Sequence, residues 1–216
     1  MNNNLIYLKS DKGMSDPIRY QSPIALSFDD IIPLTKHCLD KRGKNRGAEY
    51  IPETHLFEVK DNIFLYIHDK KYRLMEYHFH APGEHTINGV SYKAELHYVF
   101  YEVNDNDTIR DLFNVCNGEN PNNDNIVIVS RVITNNNDDN TVLERIQLKL
   151  PMIYFEYDGV IVKSGDNVDN ETDLTVPIRW IVGKCPIQLY IKEVESVAKD
   201  SHPIQPLDNR IVLFTC

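Results

Sequence analysis

The sequence predicts a mainly β chain, folded as one domain around a twisted, largely antiparallel central sheet with few short helices. Three observations predict it. Apolar runs rich in β-branched and aromatic residues recur along the chain, at Ile63–Ile67, Tyr72–Phe79, Tyr92–Tyr101, Ile126–Ile133 and Trp180–Val182. Turn-forming pairs stand beside them: Asp61-Asn62, Asp69-Lys70, Asn88-Gly89 and Asp158-Gly159. Helical signals are confined to two short stretches, Thr108–Cys116 and Ile191–Ala198.

With 216 residues, no internal repeat and no evident linker, a single domain over residues 1–216 is the economical organisation. Residues 1–19 are expected to be poorly ordered or peripheral. A hydrophobic fraction of 42% against 25% charged residues suits a packed globular core. The Asn- and Asp-rich stretches 117–125 and 134–140, and the segment 163–173, read as exposed loops.

Charge excludes some functions. A net charge of −9 opposes nucleic acid as a partner, because phosphate binding needs a clustered basic surface. The one basic cluster, Lys41 to Arg46, is too short to change that. No signal-peptide pattern opens the chain and no apolar run reaches the roughly 20 residues of a membrane span, so a cytoplasmic location is expected. Cys38, Cys116, Cys185 and Cys216 are scattered without a paired spacing and read as thiols of a reducing compartment.

The chemistry concentrates between Glu76 and His97. His78 and His80 are one residue apart, so a strand presents both imidazoles on one face and turns Tyr77 and Phe79 to the core behind. Asn88-Gly89 can reverse the chain, bringing His97 alongside on a neighbouring antiparallel strand. Three neutral imidazoles on one rigid surface hold Zn2+ with one coordination position open. Glu76 and Glu95 each precede a histidine by two residues and share its face, the offset at which a carboxylate can accept the second ring N–H of a metal-bound histidine.

The segment Glu76-Tyr77-His78-Phe79-His80, then Glu84-His85, then Glu95-Leu96-His97, resembles the signature of the α-class carbonic anhydrases. The short Ala81-Pro82-Gly83 link is similar to that of bacterial members. Further motifs follow in the family's order: Gln21-Ser22-Pro23-Ile24, Lys71-Tyr72-Arg73-Leu74, Trp180-Ile181-Val182 with Pro186-Ile187, and Gln205 to Arg210. The resemblance implies a zinc enzyme for reversible hydration of CO2 to bicarbonate and a proton. It makes His78, His80 and His97 the zinc ligands, through Nε2, Nε2 and Nδ1. Glu84 becomes the acid that fixes an orienting threonine hydroxyl, and Glu95 the partner of the third histidine. Val99, Ile128 and Trp180 become the apolar CO2 pocket, and His55 a proton shuttle. His37, His68 and His202 are assigned to surface or packing.

Two departures stand out. Glu76 replaces the family's usual glutamine, which should make His78 more basic. Tyr157-Asp158-Gly159 is followed by Val160-Ile161-Val162 instead of the family's Ser-Leu-Thr. The orienting threonine is then either Thr175, in Leu174-Thr175-Val176-Pro177, or lost to Val162. The alternative function is a non-catalytic carbonic-anhydrase-like binding or adhesion module that keeps the zinc site, such as a viral surface or virion protein.

Overall fold

A computed structural model describes residues 22–33, 40–44, 46–67, 70–103, 126–136, 142–162, 175–205, 207 and 210–215. The side chains of residues 160–162 and 175–177 are not among those described. Thirteen strands run in chain order among these residues: β1 Ala25–Leu26, β2 Ile31–Pro33, β3 Asp40–Arg42, β4 Ala48–Ile51, β5 Leu56–Val59, β6 Phe64–Ile67, β7 Lys70–His80, β8 Thr86–Ile87, β9 Ala94–Glu102, β10 Ile126–Asn135, β11 Tyr154–Val162, β12 Thr175–Leu189 and β13 Val212–Phe214. Among the described residues one α-helix, α1, covers Ile191–Val197. Eleven strands form one mixed sheet with the path β2-β13-β11-β12-β10-β9-β7-β5-β4, and β6 and β3 extend from β7. Among the described residues only β10–β12 and β13–β2 pair in parallel within it, so the mainly antiparallel expectation holds. Among the described residues no helix is long and apolar enough to cross a membrane.

Alternation along the central strands divides the core in two. In β9, Leu96, Tyr98 and Phe100 pack into one cluster with Phe57, Leu65, Tyr77 and Phe79. Val99 faces the other way, into a cluster with Ile128, Val132, Trp180 and Val182. The first cluster carries aromatic weight: Phe57 and Tyr77 stack at 4.9 Å, and the buried Tyr77 hydroxyl donates to the Leu143 carbonyl at 2.7 Å.

A β-bulge in β7 decides which cluster the histidines join. Leu74 pairs with Phe100, but Glu76 already pairs with Val99, so Met75 is an extra residue. Leu74 belongs to the first cluster, and unbroken alternation would send residues 76, 78 and 80 the same way. The extra residue reverses the phase. Tyr77 and Phe79 enter the first cluster instead, and His78 lies beside its register partner His97 on the opposite face.

Some sequence expectations need correction. Asp158-Gly159 is no turn but the middle of β11, opposite Arg179 and Ile178, because the residues on both sides extend the ladder with β12. The loop expected from Thr134 begins later, since β10 continues to Asn135 in register with Leu189. The strand around Trp180 is far longer than its apolar run, 15 residues. Asn88-Gly89 does turn the chain, with both residues at positive φ and Ile87 bonded to Val90, as a mirror-image turn requires. It closes a small excursion carrying β8, however, and the return strand β9 starts at Ala94. The helix expected at Thr108–Cys116 lies outside the described residues.

Candidate metal centre

Strands β7 and β9 bring His78, His80 and His97 together. One ligand atom from each lies within 4.8 Å of the other two, and the ring centroids are 4.9 to 5.3 Å apart. In two of the three rings one nitrogen is taken by an acceptor. His80 Nδ1 is 2.8 Å from the Asp200 carbonyl and must donate to it. His97 Nε2 is 3.0 Å from Glu95 Oε1. His78 Nδ1 is 3.5 Å from Glu76 Oε1, too far to count as bonded, and is buried without a partner. These contacts use Nδ1 of His80 and Nε2 of His97 and leave Nε2 of His80 and Nδ1 of His97 for a ligand, while in His78 Nε2 is the nitrogen not beside Glu76.

Burial disfavours charge on two of these rings. Burial, then the adjacent His97, pushes His80 down to about 3. Burial likewise holds His78 well below its ordinary value. Three imidazoles brought this close, with one nitrogen of His80 and one of His97 already turned to an acceptor, form the donor set that zinc favours, so the residues fit that ion.

Glu95 is the hub behind the centre and is fully buried. Its Oε2 accepts from the main-chain N–H of Glu84 at 2.9 Å and of His85 at 2.7 Å. Its Oε1 meets His85 Nδ1 at 2.6 Å, His97 Nε2 at 3.0 Å and the Ser130 hydroxyl. Burial alone would raise this carboxyl, but the His85 and His97 rings hold it well below the usual range. An ionised carboxylate only accepts, so both histidines present an N–H to it. His85 Nε2 lies 2.6 Å from the Tyr157 hydroxyl.

Glu84 is buried beside the cluster. Its Oε1 accepts from the His202 main-chain N–H at 2.8 Å and meets the His202 ring Nδ1 at 2.6 Å. Burial would raise Glu84; His202, His97 and His80 outweigh it and bring it down to about 2. Val99, Ile128 and Trp180 form one row across β9, β10 and β12, each at most 5% exposed, and the Trp180 ring lies 5.0 Å from that of His97. Burial raises Glu76, offset in part by the charge of Lys199.

His55 lies in the β4–β5 turn, exposed, with Nδ1 3.2 Å from the Tyr50 hydroxyl. Thr175 and Val162 are register partners at the end of the β11–β12 ladder. Five positions separate Thr175 from Trp180, roughly 17 Å of strand. Their side chains are not described, and the register separates both backbones from the histidines. Residues that sequence reasoning left without a role are Ser130, Tyr157 and His202. The first two lie 33 and 60 residues beyond His97, and no local spacing signals either. His202 could have been noticed from its place three residues before Gln205, which opens the C-terminal motif.

A profile of the eukaryotic-type carbonic anhydrase family matches residues 17–170, and the chain belongs to that family. It is 25% identical to carbonic anhydrase Nec1 of Nesocodon mauritianus over 97% of this chain and 79% of that protein. It is 34% identical to alpha carbonic anhydrase 6 of Arabidopsis thaliana, over 42% of this chain and 36% of the plant protein, so it aligns with about a third of that relative's length. Among solved structures it resembles the α-carbonic anhydrase of Thermovibrio ammonificans in complex with the inhibitor sulfanilamide. The TM-score is 0.58 at 20% identity, covering 90% of this chain and 86% of that one.

Proposed function

We propose that this protein is a zinc-dependent carbonic anhydrase that interconverts CO2 and bicarbonate. The observation that carries the reading is the convergence of three imidazoles, two of which already commit one nitrogen to a backing acceptor. His78 and His80 would hold zinc through Nε2, and His97 through Nδ1. Bound there, zinc supplies the Lewis acidity that makes water nucleophilic near neutral pH, the behaviour for which this family is the standing example. The chain's own residues do the rest. Glu95 and the Asp200 carbonyl fix which nitrogen of His97 and of His80 carries a proton, leaving the other to the metal. Val99, Ile128 and Trp180 give CO2 a dry wall and hold no competing acceptor. Glu84, pinned by His202, offers a fixed negative charge. His55, exposed on the flank of β5, suits exchange of the product proton with solvent.

A stopped-flow CO2 hydration assay on zinc-loaded protein tests this, with an aromatic sulfonamide as inhibitor control. Hydration that is sulfonamide-sensitive and lost in His97→Ala together with zinc is the expected result. One observation favours the second reading, a zinc-retaining binding module. Thr175 and Val162 pair with each other in the β11–β12 ladder, five positions along their strands from Trp180 and Tyr157. One bound zinc per chain with no hydration above buffer would decide for that reading.

A further inference from the structure

We infer that Ser130 is a positioning residue that moderates how strongly Glu95 acts on His97, and so sets how long zinc stays bound. The inference rests on the zinc reading above. Ser130 sits on β10 as the register partner of His97 on one side and of Val182 on the other, with no exposure to solvent. Its hydroxyl donates to Glu95 Oε1. Packing does not explain a hydroxyl there, since its β10 neighbours on the same face, Ile128 and Val132, are apolar.

The acceptor is already saturated without it. A carboxylate offers about four lone-pair sites, and five donors reach Glu95. Three of them converge on Oε1, the oxygen that faces His97. The carboxylate needs no help from Ser130 to keep its orientation, because two main-chain N–H groups hold Oε2 and His85 holds Oε1. What Ser130 does is disperse negative charge that would otherwise fall on the His97 N–H. A stronger acceptor behind a ligating imidazole makes that imidazole more basic and the metal bond tighter. Ser130 therefore weakens the Glu95–His97 link.

The sign of the effect separates this role from a merely structural one. Zinc dissociation into excess chelator is followed for the wild type, Ser130→Ala, Ser130→Gly and Ser130→Cys, with the zinc-free His97 Nε2–H resonance recorded for each. Loss of the hydroxyl is expected to slow zinc release about fivefold, below the 10- to 100-fold typical of deleting a whole backing partner. The His97 proton should move downfield as its hydrogen bond strengthens, and the weak thiol donor of Ser130→Cys should fall between. Unchanged or faster release, with no downfield shift, overturns the inference. If Ser130→Ala does not fold, the Gly and Cys variants give the same reading. A wild type that binds no zinc overturns the proposed function as well, whereas tight zinc with unaltered rates in the variants overturns this inference alone.

Discussion

Glu95→Gln keeps the shape of the side chain and removes its charge, and the structure predicts where the damage goes. The amide must place its NH2 at one of the two oxygen positions. At Oε2 it would face the main-chain N–H groups of Glu84 and His85, donors that cannot rearrange. Two buried unpaired donors there cost roughly 2–6 kcal/mol. At Oε1 it faces His85, His97 and the Ser130 hydroxyl, all of which can switch to accepting. The second orientation therefore wins and the fold loses only about 1–2 kcal/mol. His97 pays in a different way: with Nε2 accepting, its proton moves to Nδ1, the nitrogen facing His78 and His80. Zinc must then expel that proton or leave an N–H facing an NH2, at about 1–3 kcal/mol, which weakens binding about 10- to 100-fold. Chelator competition measures the affinity, and nitrogen-15 imidazole spectra of the zinc-free protein assign the tautomer. Affinity within threefold of wild type, with the His97 proton still on Nε2, would refute the reasoning.

Other expectations follow from single sites. Thr175→Val should change CO2 hydration less than about twofold, since roughly 17 Å of strand separates Thr175 from Trp180; a hundredfold loss at equal zinc content would show that its hydroxyl reaches the centre. Gly43→Ala should cost at least about 2 kcal/mol in urea denaturation, because φ is +100° and a Cβ would stand 2.1 Å from the Asn62 carbonyl oxygen; an unchanged midpoint contradicts it. Glu156 is raised by burial despite Arg179 at 3.5 Å, so the folded state binds its proton more readily than the unfolded chain does. The stability this contributes is present below the unfolded carboxyl value of 4.5 and lost as pH rises through the folded one. Glu156→Gln should accordingly gain on wild type between pH 4 and pH 7, and a variant that loses ground over that range in thermal unfolding would disprove the assignment.

What the sequence determined by itself was local. Alternation in β7 and β9 put His78 with His80 and Glu95 with His97, and period-2 geometry needs only neighbouring residues to be read. The ordered motifs were enough to indicate the family that the profile match then showed. Tertiary structure decided whether those faces coincide. The Met75 bulge re-phases β7 between Leu74 and Glu76, and a single extra residue is invisible to a pattern that merely restarts after it. The fate of Asp158-Gly159 was also tertiary: a turn-prone pair became mid-strand because β12 and β11 pair on both sides of it. The groups around Glu95 and Glu84 were likewise beyond sequence reading. Ser130, Tyr157 and His202 arrive from β10, β11 and the C-terminal segment, 35, 72 and 118 residues from the groups they touch. Their contacts depend on sheet order and register, which long-range packing sets and no local spacing encodes.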